Sequence, residues 1–349
     1  MYIDYLIVGQ GLAGSIVAEH CLLKGLKIKV VAAPHLSTSS LVAGGLYNPI
    51  TGRKMVKTWN CDELFDYLIP FYQTLEEKLN QQFLHDLPIY RPFLSVEAQN
   101  EWMGKSADSG FSSYIEKSFS SAAYAQLKDD FGGILLKRSG YLDTKHFVEV
   151  YGDYLQNKDL LIHEVFDNSA VSRNGQNVHY KGIEAKGIIF CEGSAVKDNE
   201  LFNWLPFRPV KGELLTIKSE HQPKVIYNRG VFVIGKEEGR STVGATYDHH
   251  ELNLEATEKG RNQLIEKLEK LINYDYQIVE QKVGIRPATA DRRPIIGEHP
   301  QEKSMYIFNG LGAKGVSLAP YYANQMVDHL INDAKLDDEV NIERYFSLF

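Results

Sequence analysis

The first residues with a chemical role to consider are closely spaced glycines near the start of the chain. They form a GxGxxG motif that reads Gly9, Gln10, Gly11, Leu12, Ala13, Gly14. In such a motif the first glycine permits a tight turn, the second lets a pyrophosphate approach the backbone, and the third lets the next helix pack closely. The free N–H groups at the helix start, which include those of Leu12 and Ala13, attract phosphate. The motif therefore predicts a dinucleotide site.

The segments on either side of the motif are those that such a site needs. Residues 3–8 are an apolar run typical of a buried strand, and residues 15–24 have apolar side chains at nearly helical spacing. Gly25 then ends the helix, and residues 26–31 predict a second strand. Strand, glycine turn, helix and strand follow one another, which is the order of a dinucleotide-binding β–turn–α–β unit.

The end of the second strand departs from this pattern. An acidic residue normally lies here and binds the adenosine ribose, whereas this chain has Ala32 and Ala33 followed by Pro34. The backbone, or the hydroxyl run at residues 37–40, must then hold the ribose. The missing carboxylate also leaves open a non-catalytic nucleotide-binding protein.

Composition limits the class of protein. The chain has 349 residues, of which 44% are hydrophobic and 24% charged, and this predicts a folded protein of roughly two domains. The most apolar stretch, residues 3–23, contains acidic residues and glycines, so we expect no membrane span. The net charge of −7 argues against nucleic acid as a partner, although a local basic cleft would allow one.

The cysteines and the start of the chain bear on location. Cys21, Cys61 and Cys191 have no metal-ligand spacing, and His249 and His250 have no third ligand, so we expect no metal site. Sparse cysteines and the lack of a basic, apolar leader predict a reduced, cytoplasmic setting.

Several segments resemble the D-amino-acid oxidase and glycine oxidase family of FAD-dependent oxidoreductases. The family includes the oxidase domain of a bifunctional tRNA wobble-uridine modification enzyme. The first such segment, residues 38–49, contains Gly44 and Gly45 and follows the second strand. Further similar segments occur in the family's order along the rest of the chain, at residues 187–193, 207–213, 242–247, 283–297 and 309–320.

The resemblance implies an α/β fold, with a Rossmann-like FAD-binding domain and a discontinuous mixed α+β substrate domain. The expected FAD-binding domain takes residues 1–61, 140–207 and 281–349, and the substrate domain takes residues 62–139 and 208–280. Besides the glycine motif, the resemblance assigns these residues to FAD: Ser39, Ser40, Gly44, Gly45, Leu46, Gly193, Gly310, Gly312, Ala313, Lys314, Gly315, Val316.

Physical reasons accompany this assignment. Small hydroxyl residues donate hydrogen bonds to phosphate, and Gly44 and Gly45 would let the backbone pass close to a flat ring. A glycine-rich turn leads into a predicted helix at residues 316–331. The N-terminus of that helix would stabilise negative charge on a reduced flavin.

The resemblance also implies the residues that bind and convert a substrate. Arg286 lies where the family binds the substrate carboxylate, and a guanidinium fork suits that role. Lys314 is the second catalytic candidate, because it could meet a carboxylate or aid oxygen reduction, with a solvated side chain as the alternative. Tyr47, Tyr227 and Tyr247 are candidates for the pocket wall.

The implied activity is oxidation of the C–N bond of a small amine or amino acid that carries a carboxylate. Hydride would pass to flavin N5, with oxygen as a possible acceptor. One alternative substrate is a carboxymethylaminomethyl group on a tRNA base, bound beside Arg53, Lys54, Lys57 and Arg91. The non-catalytic nucleotide-binding protein remains the other alternative, and the oligomeric state stays open.

Overall fold

The structure, a computed structural model, describes residues 1–33, 39–52, 54–106, 108–175 and 177–349. Its strands are β1 (Tyr2–Val8), β2 (Ile28–Ala32), β3 (Leu46–Tyr47), β4 (Ile50–Thr51), β5 (Val56–Lys57), β6 (Leu84–Asp86), β7 (Ile89–Pro92), β8 (Ile115–Phe119), β9 (Gly133–Leu136), β10 (Gly140–Leu142), β11 (Leu161–His163), β12 (Val171–Asn174), β13 (Asn177–Tyr180), β14 (Ile183–Phe190), β15 (Val210–Lys218), β16 (Ile226–Arg229), β17 (Val231–Gly235), β18 (Arg240–Gly244), β19 (Gln277–Arg286), β20 (Ile295–Glu298) and β21 (Met305–Asn309). Its α-helices are α1 (Leu12–Leu23), α2 (Cys61–Leu79), α3 (Val96–Lys105), α4 (Ser109–Ser112), α5 (Thr144–Asn157), α6 (Glu258–Glu269) and α7 (Gly315–Asn332).

The first sheet is built on parallel strands in the order β11-β2-β1-β14-β21. Val8 pairs with Val31 of β2 and with Phe190 of β14, so the carboxyl ends of these strands meet at one edge. The start of β14 pairs with β13 instead of β21, and β20 runs antiparallel to β21. Strands β1 and β2 are buried along most of their length, as parallel strands covered on both faces are.

The second sheet has the order β19-β15-β18-β17-β16-β7-β9-β8. Its neighbours run antiparallel except for the parallel pair of β16 and β7. Helix α6 buries Leu264 and Leu268 against one face of this sheet. The first sheet with its helices and this mixed sheet confirm the predicted fold class.

One hydrophobic core joins the two sheets. It contains Ile7 and Val30 of the first sheet, Ile89 and Ile234 of the second, and apolar side chains from α1, α2, α5 and α7. A buried hydrogen bond from the Tyr72 hydroxyl on α2 to the Val316 carbonyl oxygen, 3.1 Å long, ties α2 to the start of α7. Within the described residues, no helix is both long enough and apolar enough to cross a membrane.

The predicted domain boundaries do not follow these elements at two points. The boundary at residue 281 falls inside β19, which pairs with β15 from Gln277 to Arg286, so residues 281–286 belong with the second sheet. Helix α2 was expected in the substrate domain but packs on α7 beside the first sheet. The division into domains otherwise stays a prediction.

Candidate active site

A cavity of about 2080 Å³ lies at the carboxyl ends of β1, β2, β14 and β21 and continues across the second sheet. Ligands bind at this edge of parallel sheets because the loops that follow the strands diverge there. Most of the predicted site residues lie in its wall: Gly9, Gly11, Leu12, Ala13, Ser39, Ser40, Gly44, Gly45, Leu46, Gly193, Arg286, Tyr247, Gly312, Ala313, Lys314, Gly315 and Val316.

The glycine turn between β1 and α1 has the geometry that the motif predicts. Gly9 has a φ of +102°, and a Cβ there would lie 2.5 Å from the Cys191 carbonyl oxygen. A Cβ on Gly14 would overlap the Gly9 carbonyl oxygen, so Gly14 is needed for close packing of helix and turn, although it does not line the cavity. Gly11 is the N-cap of α1 and has no side chain to cap the helix, so the described first turn presents backbone N–H groups to the cavity, except that of Leu12, which Ser40 accepts.

Ser40 supports this turn. Its hydroxyl oxygen accepts a hydrogen bond of 3.0 Å from the Leu12 backbone N–H, and its own hydrogen remains available to donate. Ser40 therefore holds the glycine turn in place. Its hydrogen bond to phosphate stays a prediction. The neighbouring hydroxyls of Ser37 and Thr38 lie outside the described residues.

Gly44 and Gly45 are required by contacts within the protein. A Cβ on Gly44 would lie 2.5 Å from Cζ of Phe232, and one on Gly45, whose φ is +67°, would overlap the Leu142 carbonyl oxygen. Both residues line the cavity. The sequence predicts this glycine pair because the backbone would pass close to a flat ring, whereas the structure explains the pair by its contacts with Phe232 and Leu142.

The start of α7 forms another wall. Gly312, with a φ of +54°, turns the chain after β21, and Lys314 is the N-cap. Lys314 makes no side-chain cap within the described residues, and no acidic residue lies in the first helical turn. The positive end of the α7 dipole therefore faces the cavity, as that of α1 does.

These features fit FAD. The start of α1 and its glycine turn suit the pyrophosphate, and the uncapped start of α7 suits a ring that gains negative charge on reduction. The volume exceeds the usual 300–1,000 Å³ of a small-ligand pocket, so the cavity has room for a dinucleotide together with a substrate.

Arg286 ends β19 with its guanidinium at the cavity wall. Its Nη1 donates a hydrogen bond of 3.1 Å to the Thr246 carbonyl oxygen, and its Cζ lies 4.4 Å from the ring centroid of Tyr247. A Cβ on Gly212 would lie 2.5 Å from Arg286 Cζ, so this glycine leaves space for the guanidinium. Burial lowers the pKa of Arg286, and among the described residues it forms no ion pair. A half-buried cation of this kind is suited to an incoming anion.

Lys314 is half-buried, and it is in no salt bridge with any carboxylate that the structure describes. Burial and the nearby charges of Arg293 and Arg292 lower its pKa. Its position at a helix N-terminus opposes the charged form further, because the dipole is positive there. Lys314 is therefore a cation that releases its proton more readily than a solvated lysine.

Tyr247, 62% exposed, lines the cavity as predicted. The prediction for Tyr47 is wrong, because its ring is 1% exposed, packs on Phe65 at 6.0 Å and directs its hydroxyl to the His85 carbonyl oxygen. Tyr227 is buried as well and bonds to His221.

Gly310 also lies outside the cavity wall. It has a φ of +80°, and a Cβ there would lie 2.7 Å from Cγ2 of Thr289. This glycine therefore turns the chain between β21 and the cavity without lining the cavity itself.

The remainder of the wall contains several basic side chains, of which the sequence predicts only Lys54 and Arg91. We call the part of the cavity beside β7, β16, α3 and α6 the outer section. Its basic residues are Lys54, Arg91, Lys105, Arg229, Lys267 and Lys270. Lys105 pairs with Glu101, and Lys270 pairs with Glu266, whereas Lys54 and Lys267 have no carboxylate partner among the residues described.

Arg91 differs from the other cations of the outer section because it is only 8% exposed. Its Nη1 and Nη2 donate to the carbonyl oxygens of Ile50 and Gly52, at 2.6 and 2.8 Å, while its buried Nε has no described partner. Burial lowers its pKa to about 10. Arg53 lies outside the described residues, and Lys57 pairs with Asp62 away from the wall.

Other candidate chemistry is missing from the part of the chain that the structure describes. It contains no cluster of ligands able to hold a metal ion. All three cysteines are buried, and burial raises the pKa of Cys21 to about 12 and of Cys61 to about 11. Neither thiol is therefore disposed to form a nucleophilic thiolate.

Comparison with known proteins gives a consistent result. Glycine oxidase of Bacillus subtilis (strain 168) is 26% identical over 203 residues, which are 54% of this chain and 53% of that protein. The tRNA 5-methylaminomethyl-2-thiouridine biosynthesis bifunctional protein of Legionella pneumophila (strain Philadelphia 1) is 24% identical over 326 residues, 84% of this chain and 45% of that protein. The chain thus spans about half the length of the curated relatives it matches.

Solved structures extend the similarity over the whole fold. Iminodiacetate oxidase from Chelativorans sp. BNC1 superposes with a TM-score of 0.76 at 20% identity, covering 98% of each chain. The model of one family, DAO, whose description is FAD dependent oxidoreductase, matches residues 4–329. With the glycine turn, the two helix starts that face the cavity and this match, the chain belongs to the DAO family of FAD-dependent oxidoreductases.

Proposed function

We propose that the protein oxidises the C–N bond of a small amine or amino acid that carries a carboxylate, with FAD as cofactor. The observation that carries this proposal is the guanidinium of Arg286, which lines the cavity without a described ion-pair partner. Glycine oxidase and iminodiacetate oxidase, two of the similar proteins, are named for substrates with amino and carboxylate groups. The family relationship favours an oxidoreductase over a non-catalytic nucleotide-binding protein.

The chain's own residues fix the substrate. Arg286 would bind the carboxylate through two parallel hydrogen bonds, while the Tyr247 ring and the Thr246 carbonyl hold the guanidinium plane. Lys314 would supply a second cation and exchange a proton in the cavity, which its lowered pKa favours. FAD, when bound, supplies the hydride acceptor. Oxygen as the final acceptor and a cytoplasmic location remain part of the proposal.

The test begins with the visible spectrum of the purified protein. We expect a flavin band that bleaches under anaerobic conditions with one or more of glycine, sarcosine, iminodiacetate or D-amino acids. Admission of air should restore the band if oxygen is the acceptor. A stoichiometric flavin that no member of this panel bleaches would count against the proposal, as would a protein that binds no added FAD.

A second candidate substrate is a carboxymethylaminomethyl group on a tRNA base. The observation that favours it is the outer section, where Lys54 and Lys267 form no described salt bridge. Such cations would bind phosphates that extend from a base in the inner part of the cavity. The relative from Legionella pneumophila is named for tRNA modification.

Salt dependence separates the two candidates. If tRNA is the substrate, its affinity should fall steeply between 50 and 200 mM salt, by about 10-fold or more for two to three phosphate contacts. A Lys54→Ala/Lys267→Ala variant should lose affinity and part of that slope, with Lys158→Ala, at the exposed residue after α5, as a matched control. If tRNA does not bind, or if its modified base does not reduce the flavin, the small amine remains the proposed substrate.

A further inference from the structure

The ribose end of the cavity lacks its usual carboxylate. Ala32 and Ala33 follow β2 and line the wall, so nothing at that position can accept hydrogen bonds from ribose hydroxyls through a side chain. The same end is lined by the residues after β11, including Val165, whose apolar side chain is 70% exposed. An adenosine bound here would contact apolar side chains, but its ribose hydroxyls would need another acceptor.

The other carboxylates in the described wall differ in how well they could accept hydrogen bonds from the ribose hydroxyls. Glu101 lies in the outer section and pairs with Lys105, and Glu149 on α5 lies 3.8 Å from Lys145. Asp153 lies on the exposed side of α5. The remaining carboxylate is Glu192, which follows β14.

Glu192 lies beside the glycine turn. A Cβ on Gly9 would lie 3.6 Å from Cα of Glu192, so the backbone of this residue borders the first glycine of the turn. Because β14 is the neighbour of β1, Glu192 occupies the carboxyl edge of the sheet, where dinucleotides bind.

The side chain of Glu192 is held with one oxygen available. Its Oε2 accepts a hydrogen bond of 2.7 Å from Nδ2 of Asn199, a residue only 2% exposed. Its Oε1 has no hydrogen-bond partner among the residues that the structure describes. Burial raises the pKa of this carboxyl, whereas the bond from Asn199 opposes that rise. A carboxylate repels phosphate but accepts hydrogen bonds from hydroxyls.

We propose that Glu192 binds the adenosine ribose hydroxyls of FAD in place of the acidic residue missing after β2, with Asn199 as the residue that positions it. This inference rests on FAD as the cofactor but not on the oxidation of any amine. It explains how a chain with an intact glycine turn could bind the ribose of FAD although Ala32 and Ala33 stand in place of the usual acidic residue.

The test compares FAD with FAD analogues that lack the 2′- or the 3′-hydroxyl of the adenosine ribose. Dissociation constants of the full chain are measured by flavin fluorescence. We expect the wild-type protein to prefer FAD over at least one analogue by about tenfold, the usual effect of a hydrogen bond to a charged group. Glu192→Gln should weaken FAD binding by a similar factor and reduce that preference, because a neutral hydrogen bond is weaker than one to a carboxylate.

The comparison contains its own controls. A Gln side chain can still accept from Asn199, and a misfolded variant would lose FAD and its analogues alike, so the ratio reports the ribose contact. Asp153→Asn, on α5, should leave the ratio unchanged. The inference is overturned if Glu192→Gln keeps the preference, if Asp153→Asn removes it, or if the wild-type protein has none. A protein that binds FAD with this preference but oxidises no amine would contradict only the proposed function.

Discussion

Some residues of the cavity are proposed to bind a ligand as part of a local sequence motif, as the glycine turn does. Others are proposed to bind it through a single charged side chain. Arg286 is proposed to be of the second kind, because its guanidinium lies against a carbonyl, the Tyr247 ring and Gly212 and forms no described ion pair. An Arg that forms a structural ion pair would be worth little to catalysis, whereas an anchor of the substrate determines where the reacting carbon lies. Substitution separates these two roles.

We expect Arg286→Lys to lower kcat/KM for a carboxylate-bearing amine by about a hundredfold, because a single ammonium cannot form the paired hydrogen bonds. Arg286→Ala should lose more, while both variants retain FAD. Steady-state kinetics with the best substrate of the panel provides the measurement. Arg240→Ala, on the exposed start of β18, should behave as the wild type. Unchanged kcat/KM in Arg286→Ala would show that the residue is structural.

Lys314 leads to a prediction about stability and pH. Its pKa in the folded protein is lowered from 10.5, so between that lowered value and 10.5 the unfolded chain binds more protons. In that window the contribution of Lys314 to the free energy of unfolding rises with pH, and below it the charged group costs stability. Lys314→Met should therefore be more stable than the wild type at pH 7, and the difference should shrink toward pH 10.5.

Urea unfolding of both proteins at several pH values measures this difference directly. The exposed Lys158→Met is the control, for which no such trend is expected. If the difference in the free energy of unfolding stays constant across the pH range, the charge of Lys314 does not destabilise the folded protein. Loss of flavin bleaching in Lys314→Met, without loss of FAD, would in addition support its catalytic role.

At the scale of elements, the site depends on how closely strands β15 and β19 approach. Gly212 on β15 pairs with Gly284 of β19, and the guanidinium of Arg286 lies over Gly212. A methyl group at position 212 would meet Cζ of Arg286 at 2.5 Å. The position of the Arg286 guanidinium, the proposed substrate anchor, thus depends on a glycine of the neighbouring strand.

Gly212→Ala is expected to displace the Arg286 side chain and lower kcat/KM by about tenfold to a hundredfold, because small misplacement of a binding group is costly. FAD affinity should change little, since Gly212 belongs to the second sheet whereas the glycine turn follows β1 of the first sheet. Gly104→Ala, in α3 with open space around it, should be neutral or slightly stabilising. If Gly212→Ala has wild-type kinetics, the anchor is not held where the structure has it.

The elements also show what the sequence could predict. The glycine turn was predictable because its function needs only adjacent residues, and β1, α1 and β2 occur within a few residues of their expected bounds. Tyr47 was not, because it lies in a two-residue strand, where no alternation reveals the buried face. Its ring crosses Gly140 on the paired strand and enters the core.

Residues whose role depends on distant segments could not be found in the sequence. Glu192 becomes a candidate only through the hydrogen bond it accepts from Asn199 and its place beside Gly9 of the glycine turn. The cations of the outer section come from several separate parts of the chain, while the net charge is −7. The fold therefore concentrates positive charge that the overall composition conceals.

For the whole molecule, the decisive feature is that one core and one cavity both connect the two sheets. Since apolar contacts run without a break from Ile7 to Ile234, unfolding of one sheet would expose the core of the other. We therefore expect a single cooperative unfolding transition with or without FAD, with FAD raising the melting temperature. At FAD concentrations a hundred times the dissociation constant, the stabilisation should be about 2.7 kcal/mol.

Differential scanning calorimetry of the FAD-free and FAD-saturated protein measures this effect. Riboflavin, which lacks the pyrophosphate and adenosine, should raise the melting temperature less, because it leaves the glycine turn and the ribose end without a ligand. Two resolved transitions in the FAD-free protein would mean that the sheets unfold independently and that the cofactor joins them. An equal effect of riboflavin and FAD would place the binding energy at the flavin ring rather than at the start of α1.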